Sequence, residues 1–446
     1  MQPRIKIIVS LLGVIIGLVP VSAVEETYEN IVVHTKPGFI VEQVKNQVPS
    51  FQPVYLADYA RLVVARIDPE EIDLLEELPT VEHVEHEIQY EIADAERGVV
   101  VDDLRSVLGI PNDVSGAKSI VAVVDTGFTG NEEKYNVVWS HDFTGYNDTR
   151  DYNGHGTAMI SIIHSIAPKA KILNAKALDK TGSTTNTILV RVIDQLIAHK
   201  ETGTFDINII NIGLGTPTPR CCRKGACSRK VVDMCGAHFS GGKLVLTSVE
   251  KMIIAARDHG ILTVIAGGNE GHEGEYTLTN PATVSSIVKG SISVGSIELF
   301  NDEISPFSSR GPAYTGGIGI ELVAYGSVKD GKIYTPGIKE NMRSIEGTSV
   351  STAVITGIAA LLVEKGIEEC EKIELVLENY SVDLGVIGPD PIFGHGKVDI
   401  PGMLGSDLSP YIRDEDKNQT LDTIELAALA IMTLLGFTTI YLVYRG

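Results

Sequence analysis

The stretch VAVVDTG, residues 121–127, decides how this chain is read. Its apolar run from Ile120 to Val124 is too short for a helix and closes on Asp-Thr-Gly, the signature of a strand buried on both faces that ends in a turn. Similar runs recur at residues 171–177, 207–212 and 261–266, each separated from the next by helix-periodic segments. From about residue 100 to 404 this alternation predicts an α/β domain whose central, mostly parallel sheet is covered by helices on both faces. Open sheets of that kind bind ligands outside the carboxyl ends of their strands, which is where Asp125 falls.

Two further residues stand out. His155 lies between Gly154 and Gly156, just ahead of Thr157 and the apolar run 159–166, so its imidazole sits at a helix start with little cover. Ser349 follows Gly347 and Thr348 and opens a long apolar, small-residue helix, residues 350–363. Its hydroxyl and its own N–H then lie at a positive helix end, where a developing oxyanion is stabilised. Singly, each residue reads as ordinary: a turn aspartate, a satisfied core histidine, a helix-capping serine. Together, in the order Asp, His, Ser, they form the chain order of one particular class of nucleophilic hydrolase.

Through VAVVDTG around Asp125, NGHGT around His155 and GTS around Ser349, the chain resembles the subtilisin-like serine proteases. Supporting stretches follow in the family's order: AGGNEG at 266–271, SPFSSRGP at 305–312 and FGHGKVD at 393–399. The resemblance implies a subtilisin-like three-layer fold over residues 98–404 and a serine endopeptidase acting on protein or peptide substrates through an acyl-enzyme. His155 is then the base, Asp125 orients it, Ser349 attacks, and Asn269 supplies the side-chain donor to the oxyanion. Gly213, Leu214 and Gly215, within IINIGLG, match the edge on which the family pairs an extended substrate. The chain departs from the family at Ala158, where a histidine is usual, at Gly213, usually serine, and at Ala353, usually proline. None of these changes removes a group that moves a proton or binds the oxyanion.

Residues 24–97 have a separate pattern: strands near 30–34, 53–56 and 62–67, helices at 41–47 and 69–78, and a last strand over 81–92. The β-α-β-β-α-β order predicts a small ferredoxin-like α+β unit. By resemblance it is the protease's own propeptide, which assists folding and then blocks the cleft, with a junction near residues 93–105.

The ends carry addressing signals. Residues 1–23 hold Arg4 and Lys6, an apolar run and small residues at 21–23, the pattern of a cleaved signal peptide. Residues 426–444 contain no charge and are long enough to cross a bilayer, which gives a transmembrane helix over 424–444 behind a polar stalk at 405–423. The acidic residues before it and Arg445 after it place the catalytic domain on the extracellular face of the cell membrane, anchored by a single pass through the lipid bilayer. A net charge of −21 over 446 residues argues against nucleic acid as a partner.

An insertion, residues 216–243, is a basic island holding Cys221, Cys222, Cys227 and Cys235. In an exported protein these predict two disulfides among three connectivities, the vicinal pair being the least comfortable. A zinc site with His238 is the minority alternative, and Cys370 is left over. Catalysis requires no cofactor or metal on this reading. Calcium is frequent in the family, and Asp148, Asp151 and Asn153 offer oxygens without a spacing that fixes a site. The competing reading is a catalytically silent surface binding module. A lipase would need G-x-S-x-G, which residues 347–351 do not provide, and a zinc peptidase would need H-E-x-x-H, which is missing at His86 and His272.

Overall fold

The structure, a computed structural model, describes residues 28–92, 99–100, 104–216, 238–240, 243–328, 333–336 and 342–412. The expected signal peptide, the transmembrane segment, the four clustered cysteines and most of the stalk and of the junction lie outside these residues. Among the described residues no helix is long and apolar enough to cross a membrane.

The N-terminal unit runs β1 (Glu29–Thr35), α1 (Val41–Gln47), β2 (Gln52–Ala57), β3 (Leu62–Ile67), α2 (Ile72–Glu76) and β4 (Val81–His86). Its antiparallel sheet has the order β2-β3-β1-β4. Alternation along the strands decides what packs where. Ile31, Val33, Val63 and Ala65 join Val44 of α1 and Leu75 of α2 in the unit's own core. Val32, Leu62 and Val64 point the other way, into a core shared with the main domain.

The expected last strand over 81–92 is two strands. After β4 the chain is pinned at Ile88, which exchanges backbone and side-chain hydrogen bonds with Asn186. It then continues as β5 (Gln89–Ile92) in a different sheet. Hydrophobic alternation carries no mark of that jog, because both halves have one buried face.

The main domain contains β6 (Ile120–Asp125), β7 (Val137–Asp142), α3 (His155–Ile166), β8 (Lys171–Lys176), β9 (Ser183–Thr185), α4 (Asn186–Glu201), β10 (Ile209–Ile212), β11 (Leu214–Gly215), α5 (Ser248–Asp258), β12 (Leu262–Ala266), β13 (Ser291–Leu299), β14 (Leu322–Val328), α6 (Thr348–Glu364), α7 (Cys370–Asn379), β15 (Ser381–Val382) and β16 (Lys397–Val398). The nine-stranded sheet has the order β15-β16-β14-β13-β12-β10-β6-β8-β7. Every pairing in it is parallel except β15 with β16.

Along β6, Val121 and Val123 face α3 and α6, while Ala122 and Val124 face α4 and α5. This gives three layers, helix, sheet, helix, with each fully buried aliphatic side chain contributing about 1.5–3 kcal/mol. A second sheet, β9-β5-β11, sits at one edge of the domain, with β5 in its middle.

Candidate active site

From β6 the chain fills one side of the sheet with β7 and β8 and later fills the other with β10, β12, β13 and β14, so the strand order reverses between β6 and β10. The carboxyl ends at such a reversal leave a crevice. Asp125 is the last residue of β6, His155 the first of α3 and Ser349 the second of α6. All three reach that crevice, and all are buried, with Asp125 2% and the other two 0% exposed.

His155 Nδ1 lies 2.8 Å from Asp125 Oδ1 and 2.9 Å from Oδ2. A neutral imidazole that donates Nδ1–H to this carboxylate presents Nε2 as its acceptor. Gly213 measures how tightly the three residues gather. A Cβ placed there would stand 3.3 Å from His155 Cε1, 3.3 Å from Ser349 Cβ and 3.6 Å from Asp125 Oδ2. A side chain at position 213 would therefore press on the imidazole and the serine together. Leu214 and Gly215 form β11, and β5 pairs antiparallel with it, Ile92 opposite Leu214 and Glu91 opposite Gly215. The strand thus runs towards Gly213 and the crevice.

Asn269 follows β12. Its Oδ1 accepts from Thr348 N–H at 3.1 Å and from the Thr348 hydroxyl at 3.0 Å. A backbone donor must meet an oxygen, so the amide orientation is determined and Nδ2 is the end that can donate to a ligand. Thr348 is the residue before Ser349, whose own N–H belongs to the first turn of α6 and points out along the axis.

Asp151, one of three oxygen sources for which no spacing fixed a cation site, is a hydrogen-bond hub. It accepts from Thr126 Oγ1 at 2.9 Å, Asn153 N–H at 2.9 Å, Gly154 N–H at 2.6 Å, Thr157 N–H at 2.9 Å and Thr157 Oγ1 at 2.7 Å. Thr126, next to Asp125, also accepts from Gly156 N–H at 2.9 Å. Asp151, 1% exposed, thereby locks the start of the His155 helix to the end of the Asp125 strand. Gly154, at φ +98, gives the turn that brings its N–H to this carboxylate. The readable signal was the acid placed a few residues ahead of a helix start, a capping pattern.

Asp151 accepts five hydrogen bonds, and the half-buried Asp148 pairs with Arg150, 2.6 Å away, and with Tyr152, which hold its carboxyl below the usual range. Two other groupings have ligand-like composition. At Glu321, Glu378 and His395 the cation is already Lys289, 2.6 Å from Glu378 and 2.8 Å from Glu374, while burial pushes Glu321 up to about 8 and Glu374 up to about 7. At His34, His83 and Glu85 the two imidazoles stack at 3.8 Å between centroids, and His34 Nε2 already meets Glu85 Oε2 at 2.9 Å. Cys370 is a buried free thiol, pushed up to about 12 by burial.

The sequence model of the subtilase family matches residues 116–396. Among curated proteins, the minor extracellular protease Epr of Bacillus subtilis is 25% identical over 364 residues, covering 75% of this chain and 48% of that protein. The M-protease of Shouchella clausii is 22% identical, over 79% of this chain and 81% of its own length. Among solved structures, fervidolysin from Fervidobacterium pennivorans, a keratinolytic enzyme related to subtilisin, superposes with a TM-score of 0.64 at 18% identity, over 86% of this chain and 62% of that one. The chain thus spans about half the length of Epr and under two thirds of fervidolysin, and the last similarity shows the fold alone.

Proposed function

The chain belongs to the subtilase family of subtilisin-type serine endopeptidases, and from that premise we propose that Asp125, His155 and Ser349 are its catalytic triad. The observation that carries this reading is the contact of His155 Nδ1 with Asp125 beside Gly213, at which an added Cβ would stand 3.3 Å from both His155 and Ser349. His155 Nε2 takes the Ser349 proton as the hydroxyl oxygen attacks the scissile carbonyl carbon. Asp125 holds the ring in that tautomer and stabilises the imidazolium. Asn269 Nδ2 and the Ser349 N–H receive the oxyanion. The imidazolium then protonates the leaving amine, and water hydrolyses the acyl-enzyme by the same steps.

The N-terminal unit acts in this reading as a propeptide, with β5 holding the place of the acyl side of a substrate along β11. Export by residues 1–23 and anchoring by 424–444, with the catalytic domain outside, complete the proposal. The extracellular relative among the matches is in keeping with it. The paired cysteines of the 216–243 insertion remain part of the same reading.

Expression of residues 24–422, wild type beside Ser349→Ala, tests this directly. Wild type should lose its N-terminal unit by mass spectrometry and cleave an unfolded protein, while the variant stays full length and inert. If neither form processes nor cleaves, a silent binding module takes the place of the protease.

A further inference from the structure

In the proposed mechanism the substrate carbonyl lies between Ser349 and Asn269, so the side chain of its own residue has to be received by the two backbone segments that flank them. One wall is Gly213 to Gly215, where a Cβ added at Gly213 would meet His155 and Ser349; the other is residues 266–268, leading to Asn269. Both walls are mostly glycine, so the space beside them is set by the groups that pack against them, and Thr279 is the residue that both have as nearest neighbour, at Gly215 and at Gly268. A Cβ on Gly215 would come within 2.4 Å of Thr279 Oγ1, and one on Gly268 within 2.4 Å of Thr279 Cγ2. The two walls therefore converge on opposite ends of one threonine side chain.

Thr279 has no room to withdraw. Its N–H and its hydroxyl both donate to Gly267 O, at 3.0 and 3.2 Å, which holds it against the second wall. The next residue, Asn280, exchanges backbone hydrogen bonds with Thr216 at 2.8 and 3.2 Å, which holds the segment against the first. The side chain is 2% exposed. A threonine so fastened excludes long or aromatic substrate side chains, because accommodating them would mean overpacking a rigid site.

We propose that Thr279 closes the floor of the acyl-side pocket, so that this protein cleaves after small residues, alanine, glycine or serine, rather than after aromatic or long aliphatic ones. The inference rests on the peptidase reading above and names the substrate class for that same site.

The test uses the full chain after self-processing and peptides identical except for alanine, leucine or phenylalanine at the residue whose carbonyl is attacked. Wild type should favour the alanine peptide in kcat/KM by about tenfold or more, the scale on which a pocket discriminates by volume. Thr279→Gly should raise the phenylalanine-to-alanine ratio by at least a similar factor. Thr279→Val, which keeps the volume, should keep the alanine preference. Where Thr279→Gly fails to fold, Thr279→Ser, which removes only the methyl facing Gly268, decides by a smaller shift in the same direction. The primary self-cleaved bond, read by mass spectrometry, should also follow a small residue. Equal or better cleavage after phenylalanine by wild type, or a ratio unmoved by shortening Thr279, overturns the pocket while leaving the protease intact. No cleavage of any peptide, with no Ser349-dependent processing, overturns the peptidase reading and the pocket with it.

Discussion

Asp151 and Glu85 are both buried carboxylates that organise helix starts, but they stand on opposite sides of the boundary between the N-terminal unit and the main domain. Asp151 caps the His155 helix from within the main domain, and each of its donors is a neutral N–H or O–H group. Glu85 reaches across from β4 to Ser248 N–H at 2.6 Å, at the start of α5, and to Asn186 Nδ2 at 2.7 Å, at the start of α4. It also receives His34 Nε2 at 2.9 Å. One carboxylate is a fastening within the domain whose hydrogen-bond donors do not titrate. The other joins the N-terminal unit to the main domain, and an imidazole is built into it. The same chemistry thus serves a contact within one domain and, under the proposed propeptide role, one that has to come apart.

The largest effect should come from the fastening within the domain. Asp151→Ala strips the acceptor from several buried donors, at a cost of about 3 kcal/mol or more in unfolding free energy. It also frees the His155 helix to drift, so kcat should fall on the order of 100-fold while KM changes little. Thermal unfolding and steady-state kinetics of the processed protein read both numbers. A variant with full kcat would mean that Asp151 does not position His155, and the contrast would fail on its first side.

Next is Glu85→Gln. The amide turns an N–H₂ group towards donors that need an acceptor, weakening docking by about 2–3 kcal/mol, or roughly 30- to 150-fold in dissociation of the processed unit. The lag before activity appears should shorten accordingly, and an unchanged lag would remove Glu85 from the interface energetics.

Acid should act in the same direction. Burial pushes His34 below the ordinary imidazole value, with Glu85 pulling the other way. Burial pushes Glu85 up, yet its hydrogen bonds from His34, Asn186 and Ser248 together hold it below the ordinary carboxyl value. His83, Glu85 and Glu82 on β4 and Lys251 on α5 face His34. Above about 6.5 the imidazole is neutral whether docked or released, and docking is undiminished. As pH falls below that value the released unit takes up a proton that the docked one resists, so docking weakens by up to about tenfold per pH unit until the lower docked value is passed. The Glu85 contribution is lost only at still lower pH. Activation lag measured from pH 7.5 to 5 should shorten with acid in the wild type and flatten in His34→Gln. A lag that lengthens with acid would reverse the assigned sign.

The smallest effect belongs to Tyr55→Phe, which loses one hydrogen bond, Tyr55 Oη to Asp194 Oδ2 at 2.6 Å, across the same boundary. About 1 kcal/mol of docking, a few-fold change in lag, is expected. An effect equal to that of Glu85→Gln would show that the interface does not concentrate its energy at Glu85.

Local pattern made much of this legible. Residues 120–124 had to be a doubly buried strand, and glycines beside His155 and ahead of Ser349 left both at helix starts, so a chemistry for the site could be proposed from residue types and order. What stayed hidden was pairing at long range. The break between β4 and β5 depends on Asn186, nearly a hundred residues on, and no periodicity within 81–92 reports it. Asp151 was visible as an acid near a helix start, but cation binding and capping use the same side chain, and only the positions of its donors separate them. Thr279 lies in a stretch without strong pattern and acquires meaning only from two glycines on other segments.

The position of β5 as the middle strand between β9 and β11 has one more consequence. Whatever replaces it must offer both edges of its backbone at once, as an extended ribbon already freed from its own partners. A helix, or a strand still paired in its own sheet, cannot enter without first coming apart. The cleft therefore samples the conformational freedom of its targets before it samples their side chains. Under the proposed function, a folded neighbour would be spared by its own stability, and a chain that has lost its fold would become a substrate through that loss.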